Sequence, residues 1–178
     1  MGYGVNIHCK CRDQELWLGV GMAFPMVYQE TMEDIRSGKY GKEMAKLANE
    51  TELVTVDAEL TPYLCESCGL VEANPCLDLY KPNDIEAARK AVIGNWTAAE
   101  PRSNKTVGEL GDWPYWTPPS NDEDDFGENE GNYVLLKEYE HMCPECKKLM
   151  KKVTDDFENI KCPKCGEKYQ TFPGVLWD

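Results

Sequence analysis

Histidine is scarce in this chain: only His8 and His141 occur among 178 residues. Each lies within two residues of a cysteine, so neither is placed as the obvious base for a serine or cysteine nucleophile elsewhere. No serine-centred elbow and no phosphate-binding loop is present. Gly19 and Gly21 form a Gly-x-Gly, but with no helix directly behind it the segment reads as strand. Long apolar runs are also missing. Nothing approaches the ~20 residues that cross a bilayer, and the first residues lack the charged and apolar regions of a secretory signal. A myristoylation motif would want Ser or Thr where Asn6 stands. The expectation is a folded, cytoplasmic protein without a membrane partner. Basic residues are in deficit, 19 Lys and Arg against 32 Asp and Glu, for a formal charge of −13. Phosphate contacts need the opposite sign, so the composition argues against a generic nucleic-acid binder.

Cysteine, by contrast, is abundant. Nine are present, and eight fall into close pairs: Cys9 with Cys11, Cys65 with Cys68, Cys143 with Cys146, and Cys162 with Cys165. Cys76 is left over. A reducing compartment opens disulfides, so metal ligation is the better explanation of this pairing. The C-terminal stretch reads C-x2-C-x15-C-x2-C, a strong zinc signal. Two residues between cysteines let a tight turn aim both sulfurs at one ion while amides inside the turn donate to the thiolates. Pro144 and Pro163 fix φ after the first cysteine, and Gly166 permits the positive φ that closes the turn. The expected site is Cys143, Cys146, Cys162 and Cys165. A second site is expected from Cys65, Cys68, Cys9 and Cys11, with His8 able to replace one cysteine and Cys76 able to compete. Relative to four neutral thiols, a zinc site with four thiolates adds two negative charges, so two sites take the chain from −13 to about −17.

The pattern from Cys143 to Gly166 resembles the zinc-ribbon family with rubredoxin-like knuckles, and a chain carrying two such ribbons is the reading that follows. The resemblance covers roughly residues 133–172. It implies small antiparallel hairpins around a four-cysteine ion, with Tyr133 to Tyr139 and Lys168 to Phe172 as flanking strands. It does not imply an activity. Iron is the alternative metal, since four thiolates admit either; the first knuckle carries Lys147-Lys148 where a rubredoxin-like knuckle has glycine.

Elsewhere the periodicities mark elements. Tyr3 to His8 reads as a strand, and Leu16, Leu18, Val20, Met22 and Phe24 alternate as a second one with one buried face. Gln29 to Arg36 reads as a helix stopped by Ser37-Gly38. Tyr40, Met44, Leu47 and Ala48 share one face of another. Leu53 to Val56 and Tyr63-Leu64 read as strands, and Asn83 to Glu86 has the form of a capping box for a helix reaching about Ile93. Residues 95–131, with four prolines, three tryptophans and the acidic run Asp122 to Asp125, read as a long loop. That run fails the calcium-loop spacing, because Phe126 and Tyr133 occupy ligand positions.

The fold expected is therefore α+β, with small hairpins around two four-cysteine zinc sites and short inserted helices. Its domains are expected as an N-terminal split ribbon (1–94), an acidic linker (95–132) and a C-terminal ribbon (133–178). The functional expectation is a zinc-binding, non-catalytic protein-interaction module, with a basic protein favoured as partner. One alternative is nucleic-acid binding through the lysines at 147, 148, 151, 152, 161, 164 and 168, with Tyr169 or Phe172 stacking on bases. Against it, eight lysines in residues 137–178 only balance eight carboxylates, so that end is neutral. Another alternative is an enzyme of unrecognised type.

Overall fold

The computed structural model describes residues 2–19, 24–86, 133–154 and 156–177. The expected helix after Asn83 is described only at Ile85 and Glu86. The rest of that helix, the expected long loop 95–131 with its tryptophans and acidic run, and the alternation beyond Gly19 as far as Ala23 lie outside the described residues.

The architecture is α+β: among the described residues there are two antiparallel sheets, two short α-helices and one 3-10 turn at Phe157–Asn159. The chain forms two compact units, and neither is a continuous stretch. The described residues within 1–24, 59–76 and 139–178 make one, and those within 25–58 and 77–138 make the other. Residues 133–178, expected as one ribbon, are thus shared between both.

In the first unit, β1 (Gly2–Cys9) and β2 (Arg12–Gly19) form a hairpin whose turn is Lys10-Cys11. The alternation expected around Leu16 and Leu18 holds: both are buried, while Asp13, Glu15 and Trp17 face out. The last strand, Gln170–Trp177, pairs antiparallel with β1, so the two ends of the chain share one sheet. Gly174 is required there, since a Cβ would lie 2.6 Å from the carbonyl carbon and oxygen of Gly4. Ile7, Cys9, Leu16 and Leu18 pack with Leu64, Val71, Cys162 and Tyr169 into a common core. Leu60–Leu64 and Val71–Pro75 form a second hairpin, extended by Lys151–Lys152 pairing with Tyr63 and Leu64. Val71–Pro75 and Lys151–Lys152 are strands that the sequence pattern does not mark. One contains a proline and the other is an exposed lysine pair, so neither shows a buried periodicity.

The Gln14 carboxamide completes this unit. It donates to the Val71 carbonyl and accepts from the Val71 N–H at 3.2 Å, substituting for one rung of a strand ladder.

From Pro25 on, the second unit holds both α-helices, α1 (Phe24–Ser37) and α2 (Lys42–Glu50); α1 begins before the expected Gln29 and takes in Phe24, which the alternation placed on a strand, because Pro25 is well tolerated in a first helical turn. Helix α1 ends as expected at Gly38, where φ of +90° lets the Gly38 and Lys39 amides bond back to Ile35 and Asp34. Met32 and Ile35 of α1, and Met44 and Ala48 of α2, are buried. A three-stranded sheet of Thr55–Val56, Leu79–Pro82 and Tyr133–Lys137 completes it. With the strands above, the chain-order labels are β3 (Thr55–Val56), β4 (Leu60–Leu64), β5 (Val71–Pro75), β6 (Leu79–Pro82), β7 (Tyr133–Lys137), β8 (Lys151–Lys152) and β9 (Gln170–Trp177). Among the described residues no helix is long and apolar enough to cross a membrane.

Candidate metal centres

Three short loops of the first unit share one backbone design. In each, the amide of the first cysteine donates to a carbonyl five residues on, and the amide four residues on donates back to that cysteine's carbonyl. Cys65 bonds Leu70 at 2.8 Å and receives Gly69 at 2.8 Å; Cys143 and Cys162 repeat this with Lys148 and Lys147, and with Glu167 and Gly166. The closing residue has positive φ every time: +74° at Gly69, +57° at Lys147 and +75° at Gly166. These are the expected knuckles. Lys147 is where the sequence departs from glycine, and it takes the left-handed conformation nonetheless.

Inside the 65–68 and 162–165 knuckles, amides point at the sulfur of the first cysteine. Burial raises the Cys65 thiol, but donation from the Cys68 and Ser67 amides outweighs it and brings the group down to about 7. Cys162 follows the same logic, burial being overcome by the Cys165 and Lys164 amides and by Tyr169, and it falls to about 6. Their neighbours go the other way. Cys11 is pushed up to about 12 by its hydrogen bond with Cys9 and by burial, and burial pushes Cys68 up to about 12. One thiol in each group is held down, while Cys9 and Cys11 in one group and Cys68 and Cys146 in the other are pushed up, and a divalent cation relieves the like charge that ionising them would bring together.

The eight paired cysteines gather into two groups of four, and within each group all sulfurs lie within 4.8 Å of one another. The membership differs from the sequence expectation. Cys9 and Cys11 join Cys162 and Cys165, while Cys65 and Cys68 join Cys143 and Cys146. Neither the expected C-terminal set nor the expected N-terminal set forms. The physical reason is strand pairing: β9 lies against β1 with His8 opposite Gln170, which carries the 162–165 knuckle to the tip of the β1–β2 hairpin. β8 lies against β4, which carries the 143–146 knuckle to the 65–68 knuckle. The sites are therefore nested along the chain, outer pair with outer pair and inner with inner.

Spacings suit a single ion. Cys9 and Cys11 sulfurs are 3.4 Å apart, and Cys11 and Cys162 are 3.6 Å apart. In the inner site, Cys65 and Cys146 are 3.4 Å apart, and Cys68 and Cys143 are 3.6 Å apart. Four ligands at ~2.3 Å in a tetrahedron stand ~3.8 Å from one another, whereas a disulfide is ~2.05 Å. All nine cysteines are free thiols. The groups are thus compatible with zinc-ribbon-like sites, although Cys9-Lys10-Cys11 supplies its two sulfurs from a hairpin tip instead of a knuckle.

The other candidate ligands stand apart from both groups. His8 is exposed and pairs with Asp13. His141 is buried, its Nε2 lies 3.2 Å from the Cys76 carbonyl, and its ring packs on Tyr63 at 4.2 Å and Tyr139 at 4.8 Å. Cys76 is fully buried and accepts from Lys152 Nζ at 3.2 Å. Tyr169 is the expected base-stacking residue of the nucleic-acid alternative. It is 2% exposed and its hydroxyl donates to the Gly69 carbonyl at 3.1 Å, so it has no face to offer. Of the lysines, Lys151 pairs with Glu66 at 2.9 Å.

Two residues that the sequence did not single out join the sites. Arg12 follows Cys11, and its guanidinium makes a two-pronged bond, 2.9 Å on each side, to Glu145 between Cys143 and Cys146. That bond holds the Glu145 carboxyl below its usual range. Only the fold could show it, because 133 residues separate the partners.

Comparison with protein families, with curated proteins and with solved structures finds no match.

Proposed function

We propose that the chain binds two zinc ions, one in each four-cysteine group, and acts in the cytoplasm as a non-catalytic scaffold for a protein interaction. The observation that carries the reading is the closed sulfur geometry. Four thiolates fill a tetrahedral ion and leave no position for substrate or water, and catalytic zinc usually keeps one open. Such sites supply folding energy, on the order of 10 kcal/mol each at neutral pH. Zinc is preferred to iron because the hairpin-and-knuckle arrangement resembles zinc ribbons.

The partner is proposed to be a basic protein. The outward face of β2, β1 and β9 places Trp17 and Phe172, each about half exposed, on a surface that also carries Asp13 and Glu15. That combination, with a chain charge of −13, favours a cationic surface with apolar contacts. Elemental analysis of protein purified without chelator should return two zinc ions per chain; none in a folded sample would overturn the metal reading. Capture from source cells at low salt should retain a stoichiometric protein after nuclease treatment. Loss of all partners with the nucleic acid would move the assignment to the lysine-rich C-terminal segment.

A further inference from the structure

The two cysteine groups are built into each other. The outer site's Cys162 lies under the inner site's Gly69, so close that a Cβ on Gly69 would meet its sulfur at 3.0 Å. Tyr169, four residues beyond Cys165, sends its buried hydroxyl to the Gly69 carbonyl, and the Gly69 amide in turn bonds the Cys65 carbonyl at 2.8 Å. On the other halves of the sites, Arg12 beside Cys11 grips Glu145 inside the 143–146 knuckle. Each half of one site therefore touches a different half of the other. Ordering one site therefore helps to order part of the other.

We propose that the two sites load their ions cooperatively, and that Tyr169 is a positioning residue that transmits part of the coupling. This rests on the reading of both groups as metal sites. The nested order contributes first. Closing the outer site joins residues 151 apart in sequence, and closing the inner site joins residues 75 apart. Once the inner site is closed, the outer loop is about half as long, which favours its closure about threefold. The Tyr169 bond forms only when both knuckles are ordered, and one buried hydrogen bond is worth about a further fivefold. The product is on the order of fifteenfold, within the usual range for coupled sites.

Native mass spectrometry of the reduced full-length chain, titrated with zinc, counts species with no, one and two ions. At half-saturation, two equal independent sites put half the molecules in the one-ion state, and fifteenfold coupling lowers this to about a fifth. Tyr169→Phe keeps the ring and removes the hydroxyl, and should raise the one-ion species to about a third or more. Cadmium-113 resonances from both sites should shift in that variant. A one-ion fraction of half or more in the unaltered protein would overturn the cooperativity while leaving the metal reading intact. No ion bound at any ratio would overturn both. A Tyr169→Phe titration identical to the original would remove Tyr169 from the coupling.

Discussion

Gly69, Lys147 and Gly166 occupy the same position in three copies of one turn, with φ of +74°, +57° and +75°. They allow backbone strain and side-chain contact to be separated. At Gly166 a Cβ would meet nothing within 4 Å, so Gly166→Ala introduces only the left-handed penalty, about 1–2 kcal/mol. At Gly69 the same penalty applies, and the new methyl also meets Cys162 Sγ at 3.0 Å and the Tyr169 hydroxyl at 3.6 Å. The sulfur would have to give by a few tenths of an ångström. It is buried, held by amides of its own knuckle and poised as a ligand, so the contact adds about 1–3 kcal/mol of overpacking. Lys147→Gly removes a penalty the native chain already carries and should gain about 0.5–1 kcal/mol. Urea unfolding of the three metal-loaded variants, followed by circular dichroism, measures all of this on one scale. The expected order of stability is Lys147→Gly, the native chain, Gly166→Ala, Gly69→Ala. Equal losses for the two alanine variants would refute the claim that Gly69 is fixed by the neighbouring site.

Paired cysteine substitutions test the site membership. Cys65→Ser with Cys143→Ser should leave one ion bound, while Cys143→Ser with Cys162→Ser should abolish both high-affinity sites; elemental analysis after desalting distinguishes this from sequential pairing, which predicts the reverse. Gly174→Ala should lose at least about 2 kcal/mol, because its methyl would clash with the Gly4 carbonyl and pry β9 from β1; thermal denaturation reads the loss, and an unchanged midpoint would contradict the close approach. Metal retention should fall with acidity, because protons compete with the ion for every thiolate. Cys11 and Cys68, pushed up to about 12, must already lose protons to bind an ion at neutral pH, and as pH drops through about 7 and then about 6 Cys65 and Cys162 must do so as well, so retention falls more steeply there. Metal content after equilibration at stepped pH checks the direction, and a content that rises on acidification would refute it.

Several features were legible without coordinates because they depend on neighbours in sequence. The knuckles are local turns whose requirements, a proline or small polar residue inside and a positive-φ closure after, are written within six residues. The strand through Leu16 and Leu18 and the helix ending at Gly38 follow from periodicity and capping in the same way. The cysteine inventory likewise identified the eight residues that the fold gathers into groups of four.

Which knuckle meets which is a different kind of fact. Cys-x-x-Cys turns are nearly interchangeable as ligand pairs, and spacing favours joining neighbours because short loops close at the lowest entropic cost. That preference is small and logarithmic. It is outweighed by the backbone pairing of β9 with β1 and of β8 with β4 and by the burial of Tyr169 and Met150, which immediately precede those strands, and this sends residues 162–165 to the β1–β2 hairpin and 143–146 to the 65–68 knuckle. The sequence by itself determined the kind of turn, the kind of ligand and the number of pairs; the tertiary structure alone decided their partners, because partner choice is set by long-range strand pairing that no local pattern records.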